Sequence, residues 1–180
     1  MKTLIIHPTD KTTDFLKPIY KNIPNKTLVT GGNTKDQLKE LILKHDRTIM
    51  MGHGCPSGLF GVGQFPDTRG LIIDKTFVDV LSEGENIYIW CNSHRFVNDF
   101  GLKGFYSGMF ISEVGESEYC GIPSEQNVVD ESNDGFSNIL SKYVTESIDT
   151  IFHRVRKEYG LLTSHNRIAR YNHQRLYINL

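Results

Sequence analysis

A series of short, continuous apolar runs, each ending in glycine, proline or a polar cluster, constrains this chain more than any other feature. They are "TLIIHP" (3–8), "KTLVTGG" (26–32), "TIMMGHG" (48–54), "NIYIWCNS" (86–93) and "GFYSGMFISEV" (104–114). Runs of this length, rich in β-branched residues, read as strands buried on both faces. The segments between them carry helix signals. Residues 33–46 can be capped by Asn33 or Thr34 and repeat Leu38, Leu41 and Ile42 at helical spacing. Residues 74–84 are capped by Asp74 and stopped by Gly84. "TDFLKPIYKN" reads as a short helix or turn interrupted at Pro18, and "HRFVNDFGL" as a brief helix. Residues 135–160 read as one long helix, with Ile139, Leu140, Tyr143, Val144, Ile148, Ile151, Phe152 and Val155 as its apolar stripe. The glycine-rich stretch after His53 predicts hairpin strands at Leu59-Phe60 and Leu71-Ile72-Ile73. "ESEYCGIPSEQNVVDESND" reads as loop and short helix, and the last twenty or so residues as a final helix and strand. Strands alternating with helices predict an α/β fold, a mostly parallel sheet flanked by helices. No repeat, low-complexity tract or change of composition divides the chain, so residues 1–180 read as a single domain.

Composition narrows the function classes. With 180 residues, 38% hydrophobic and 23% charged, the chain can bury a core without staples. A formal net charge of −1 asks for neither nucleic acid nor a membrane surface as partner. The basic C-terminal region (Arg154, Arg156, Lys157, Arg167, Arg170, Arg175) reads as helix-end charge with an intramolecular or partner contact. Three sparse cysteines, Cys55, Cys91 and Cys120, make no disulfide framework and predict a reducing, cytoplasmic setting. "MKTLIIHPTD" is too short for a signal peptide, and no apolar run approaches the roughly 20 residues that span a bilayer.

Ligands of open parallel sheets bind beyond the carboxyl ends of the strands. Here those ends carry His7-Pro8-Thr9-Asp10, Gly31-Gly32, His53-Gly54 and Cys91-Asn92. If the third and fourth strands are neighbours, His53 and Cys91 face one crevice. A thiolate is a nucleophile, and an adjacent imidazole can take its proton or protonate a departing amine. The Gly54 and Cys91 amides are candidate donors to a developing oxyanion, glycine allowing close approach. The stretch 52–63 holds neither G-x-x-x-x-G-K-[ST] nor G-x-G-x-x-G opening a helix, and "GVGQFPDTRG" puts a proline where that helix would begin.

An apolar strand ending in His-Gly, then glycine-containing hairpin strands, a helix, and another apolar strand ending in Cys resembles the caspase-like (clan CD) cysteine peptidases. These include caspases, metacaspases, gingipains, clostripain, separase and bacterial CHAT domains. The resemblance in element order runs from about residue 3 to about residue 113. It implies a caspase-like α/β/α sandwich and a cysteine endopeptidase acting on a protein or peptide substrate. In that reading Cys91 is the nucleophile, His53 the general acid/base, and the Gly54 amide part of an oxyanion hole, with no cofactor and no metal. Loops after the strands shape the substrate pocket in this family. That implies substrate-binding roles for Asp10, after the first strand, and Glu113, after the fifth. Asp14, Glu116 and Glu118 lie nearby, and carboxylates there would favour a basic substrate side chain.

Other readings stay open. The fold could be kept as a partner-binding module without the chemistry, which Trp90 beside Cys91 and the small chain suit. A small-molecule or zinc-binding α/β protein could use the same crevice, since H-x-C at 53–55 and C-x-x-H at 91–94 offer zinc-type ligands. The oligomeric state is undecided by the sequence.

Overall fold

The computed structural model describes residues 1–66 and 70–180; residues 67–69 lie outside the described residues. Strand β1 (Thr3–Ile6) leads through a 3-10 turn (Lys11–Leu16) into helix α1 (Lys17–Lys21). Strand β2 (Thr27–Val29), helix α2 (Lys35–Leu43) and strand β3 (Arg47–Met51) follow. Three short strands, β4 (Gly54–Cys55), β5 (Gly58–Phe60) and β6 (Leu71–Ile73), precede a 3-10 turn and helix α3 (Val78–Leu81). Next are β7 (Asn86–Ile89), α4 (Ser93–Phe100), β8 (Gly104–Ser107) and α5 (Val114–Tyr119). The chain closes with α6 (Gln126–Tyr143), α7 (Ile148–Tyr159), α8 (Arg167–His173) and β9 (Leu176–Asn179).

The main sheet has the order β2-β1-β3-β7-β8-β9. All its pairs are parallel except β8 with β9. A second, antiparallel sheet holds β4, β5 and β6. This is the α/β fold with a mostly parallel sheet that the alternating runs predict. Because successive strand residues point to opposite faces, each central strand feeds two cores. Ile5, Ile49, Met51, Ile87 and Ile89 join Phe136, Leu140, Ile151 and Val155 of α6 and α7. Leu4, Ile6, Met50, Tyr88 and Trp90 join Leu38, Phe77, Phe96 and the small sheet on the other face.

Several boundaries differ from expectation. Pro18 stands in the first turn of α1, where the missing N–H is harmless, so it opens a helix rather than interrupting one. The strand over 104–114 is only four residues long; beyond Ser107 the Gly108 carbonyl accepts from Asn92 N–H and the Gly108 N–H donates to the Arg175 carbonyl. The long helix over 135–160 is two helices. The first begins earlier, at Gln126, because Val129, Ser132 and Asn133 are buried in "NVVDESND", whose polar composition reads as loop. It ends at Tyr143, and Ser147 caps the second by accepting from Thr150 N–H.

The break is held from the sheet. Arg47 of β3 is 5% exposed and donates to the carbonyls of Val144, at 3.1 Å, and Glu146, at 2.6 Å. Its guanidinium also lies 3.7 Å from the Glu85 carboxylate. Truncation would leave helix-end carbonyls without partners, which costs about 1–3 kcal/mol for each buried group. We expect Arg47→Ala to lower the urea midpoint by an amount equivalent to about 2–4 kcal/mol, with the slope unchanged. A shift equivalent to under about 0.5 kcal/mol, the size usual at ordinary surface positions, would show that the break does not need it.

Candidate functional site

The parallel pairing of β3 with β7 sets Met51 opposite Ile89. Both strands therefore end at one edge of the sheet, and His53 and Cys91 line a shared groove of about 600 Å³. Gly54, Phe60, Val62, Asn92, Met109 and Glu116 complete much of its wall. Gly54 is required there because a Cβ would lie 2.3 Å from Trp90 Cδ1. Trp90 points away from the groove. It is 1% exposed, packs edge-on against Tyr88 and Phe96, and donates its indole N–H to the Cys55 carbonyl at 3.1 Å. Trp90 thus anchors the small sheet to the large one.

The loop after β1 orients His53. The Thr12 hydroxyl donates to Asp10 Oδ1 at 2.8 Å and lies 2.6 Å from His53 Nε2. With its one proton given to the carboxylate, Thr12 accepts from Nε2–H. The neutral ring is thereby fixed in the tautomer whose Nδ1 is an acceptor, and Asp10 Oδ2 stands 3.9 Å from Nε2. Hydrogen bonds from the Thr12 backbone and hydroxyl hold the Asp10 carboxyl below its ordinary pKa. Asp10, to which the resemblance gives a substrate-binding role, faces His53. Thr12 was not foreseen; it lies outside every motif, and only the fold brings it to the histidine.

His7 fixes this loop from below. It is 3% exposed, with Nδ1 3.0 Å from the Tyr20 hydroxyl and Nε2 3.0 Å from Thr13 Oγ1. Thr13 donates to the Asp10 carbonyl at 3.1 Å, so it accepts from His7 Nε2–H while Tyr20 donates to Nδ1. Burial, and then the charge of Lys17, lower the His7 pKa from 6.5 to about 4.

Cys91 has acceptors for neighbours. Its Sγ lies 3.4 Å from the Phe110 carbonyl oxygen and 3.7 Å from Glu116 Oε1. Glu116 is held in place because Oε2 accepts from Ser112 N–H, Ser112 Oγ–H and Glu113 N–H. Burial, and then the Glu116 carboxylate, push the Cys91 thiol up to about 12. Glu113 does not join this groove. It lines a neighbouring pocket with Lys11, Gln126, Asp130 and Asn133. The zinc-type ligands also fail to converge. His94 lies against the Tyr177 ring, and among the described residues no three His, Cys, Asp or Glu side chains are grouped to hold a metal ion. Among the described residues, no helix is long and apolar enough to cross a membrane.

No family model and no curated protein matches the chain. Among solved structures it is similar to a crystal structure of an NADPH-quinone reductase from P. pentosaceus, at 16% identity over 96% of this chain and 98% of that one, with a TM-score of 0.31. That neighbour is not a peptidase, though a likeness of that degree carries no argument about the chemistry here. The expectation of a cysteine endopeptidase is corrected on the thiol itself. A nucleophilic cysteine needs a stabilised thiolate, whereas burial and a carboxylate neighbour keep the Cys91 proton in place.

Two outcomes are expected. In the native protein at pH 8, Cys91 should be alkylated by iodoacetamide roughly 100-fold more slowly than in urea, and Glu116→Gln should raise the native rate several-fold. Equal native and denatured rates would refute the protonated thiol. Neutral His7 is favoured by the fold, so its contribution is complete above pH 6.5 and disappears as pH falls towards 4. Urea titrations should show a loss on the order of 3 kcal/mol across that window, and His7→Gln should flatten it.

Proposed function

We propose that this chain is a caspase-like domain that works as a binding module, holding a peptide segment in the groove beyond β3 and β7 without cleaving it. The order of β3, His53-Gly54, hairpin strands, α3, β7 and Cys91 supports the family resemblance. The observation that carries the binding reading is the pairing of an uncharged, acceptor-bound thiol with a fixed imidazole in one open groove. Such a groove offers hydrogen-bonding and apolar contacts rather than a charged nucleophile. His53 Nδ1 and the Asn92 side chain can meet a peptide backbone, and Phe60, Val62 and Met109 supply apolar wall. Glycines at 54, 63 and 70 leave main chain accessible along the rim.

Fluorescence polarisation against a library of labelled peptides, with mass spectrometry of the mixtures, tests this. Micromolar binding should appear, and the peptides should stay intact after long incubation. Phe60→Glu should weaken binding at least tenfold, while Cys91→Ser should stay within about threefold of wild type, since a neutral hydroxyl replaces a neutral thiol. Cleaved peptides, or no binding by any peptide, would overturn the proposal.

A further inference from the structure

The near-neutral total charge, which by itself asks for no nucleic acid, is the sum of two unlike parts. Residues 154–180 carry six arginines and lysines against Glu158 alone, a charge of +5, and residues 1–153 carry the balancing −6. Folding does not neutralise these cations. Among the described residues, the salt bridges at this end of the chain use Lys142, His153 and His165 instead. The Glu158 carboxylate is taken by Lys142 and Tyr143, and that of Glu131 by Asn166 and His165.

Helix α8 sets the free cations in a row. Ile168, Ala169 and Asn172 are buried, so Arg167, Arg170, Tyr171 and Gln174, at spacings of three and four, form the outward face. Arg175 follows them. Its guanidinium carbon lies 3.5 Å from the centre of the Tyr171 ring, and it donates to the Tyr171 carbonyl at 3.0 Å. The guanidinium plane is thus fixed before any ligand arrives. Beyond it, the Tyr177 ring of β9 packs against His94 at the start of α4, with centroids 5.7 Å apart. Burial, then the charge of Arg95 and more weakly that of Arg175, lower the His94 pKa against Asp99, so both arginines face this histidine. At the other end Tyr171 donates its hydroxyl to Cys120 Sγ at 3.6 Å, and the neighbouring Tyr119 is 88% exposed. Its ring makes no aromatic contact among the described residues. Cations at helical spacing suit a row of phosphates, and open flat groups suit the faces of unpaired bases. A duplex hides those faces. A membrane surface asks for an outward apolar face, and the apolar residues of α8 are buried. The Gln174 amide, exposed on the same face, offers both donor and acceptor to a 2′-hydroxyl.

We infer that the strip from Tyr119 across α8 to His94 and Arg95 binds single-stranded RNA, with phosphates on Arg95, Arg167 and Arg170 and bases stacked on Tyr119 and the Arg175 plane. Other residues line the groove beyond β3 and β7, so this surface does not depend on peptide binding. Fluorescence polarisation with labelled oligo-U of about 15 nucleotides tests it, with oligo-dU of equal length to isolate the 2′-hydroxyl. Oligo-U should bind several-fold tighter than oligo-dU, and log K should fall with log[KCl] at a slope of about −2, the value for three phosphate contacts on a single strand. The Arg167→Gln/Arg170→Gln double variant should reduce that slope to about −0.7. Tyr119→Ala, at an exposed position where folding is not at risk, should weaken binding about tenfold and leave the slope unchanged. Phe60→Glu should leave RNA binding as it is, which separates a failure of this surface from a failure of the groove. No binding of oligo-U, equal binding of oligo-U and oligo-dU, a duplex bound as tightly as the single strand, or indifference to the Arg and Tyr119 substitutions would overturn the inference. Capture by phosphatidylserine vesicles with no oligonucleotide bound would overturn it too.

Discussion

The parallel pairing of β3 with β7 is the constraint on which the rest of the molecule depends. It sets Ile49, Met50 and Met51 against Ile87, Tyr88 and Ile89. A parallel ladder ends both strands at the same edge, so the residues that follow them meet in space. Alternation does the rest. Met51 and Ile89 face the core built with α6 and α7, and Met50, Tyr88 and Trp90 face the other. A slip of one residue would exchange the two faces and bury the wrong side chains. Trp90 extends this constraint beyond the sheet by filling the space against Gly54 and fixing the Cys55 carbonyl.

At the groove, two side chains of familiar reactivity are held in states that subdue one of them. His53 is tied through Thr12 to Asp10, which sets its tautomer and leaves Nδ1 as an acceptor. Cys91 is buried beside a carbonyl and a carboxylate, and burial together with the carboxylate favours the protonated thiol. A strand tip that delivers cysteine is thus not sufficient for a nucleophile. Burial first, and then the charge that faces the sulfur, set its ionisation, and here that charge is negative. The Glu116 carboxylate is itself fixed by three donors from Ser112 and Glu113, so this environment is built rather than incidental.

Much of the scaffold was legible because its signals are local. Buried strands announce themselves as β-branched runs, and α2 by its Thr34 cap and spaced leucines. The start of α6 was not legible. Asn127, Asp130, Ser132, Asn133 and Asp134 favour turns locally, and burial of that face against the core overrides the preference. The break between α6 and α7 depends on Arg47, nearly a hundred residues away in sequence, and no local pattern reports such a bond.

The sequence by itself determined the α/β class, the alternation that divides two cores, and the placement of His53 and Cys91 at strand ends. Those follow from side-chain periodicity, which is a property of neighbouring residues. Only the tertiary structure decided that Thr12 and Asp10 hold the imidazole and that Glu116 faces the thiol. Ionisation and hydrogen-bond satisfaction depend on distances between groups far apart along the chain, and those distances exist only once the layers have packed.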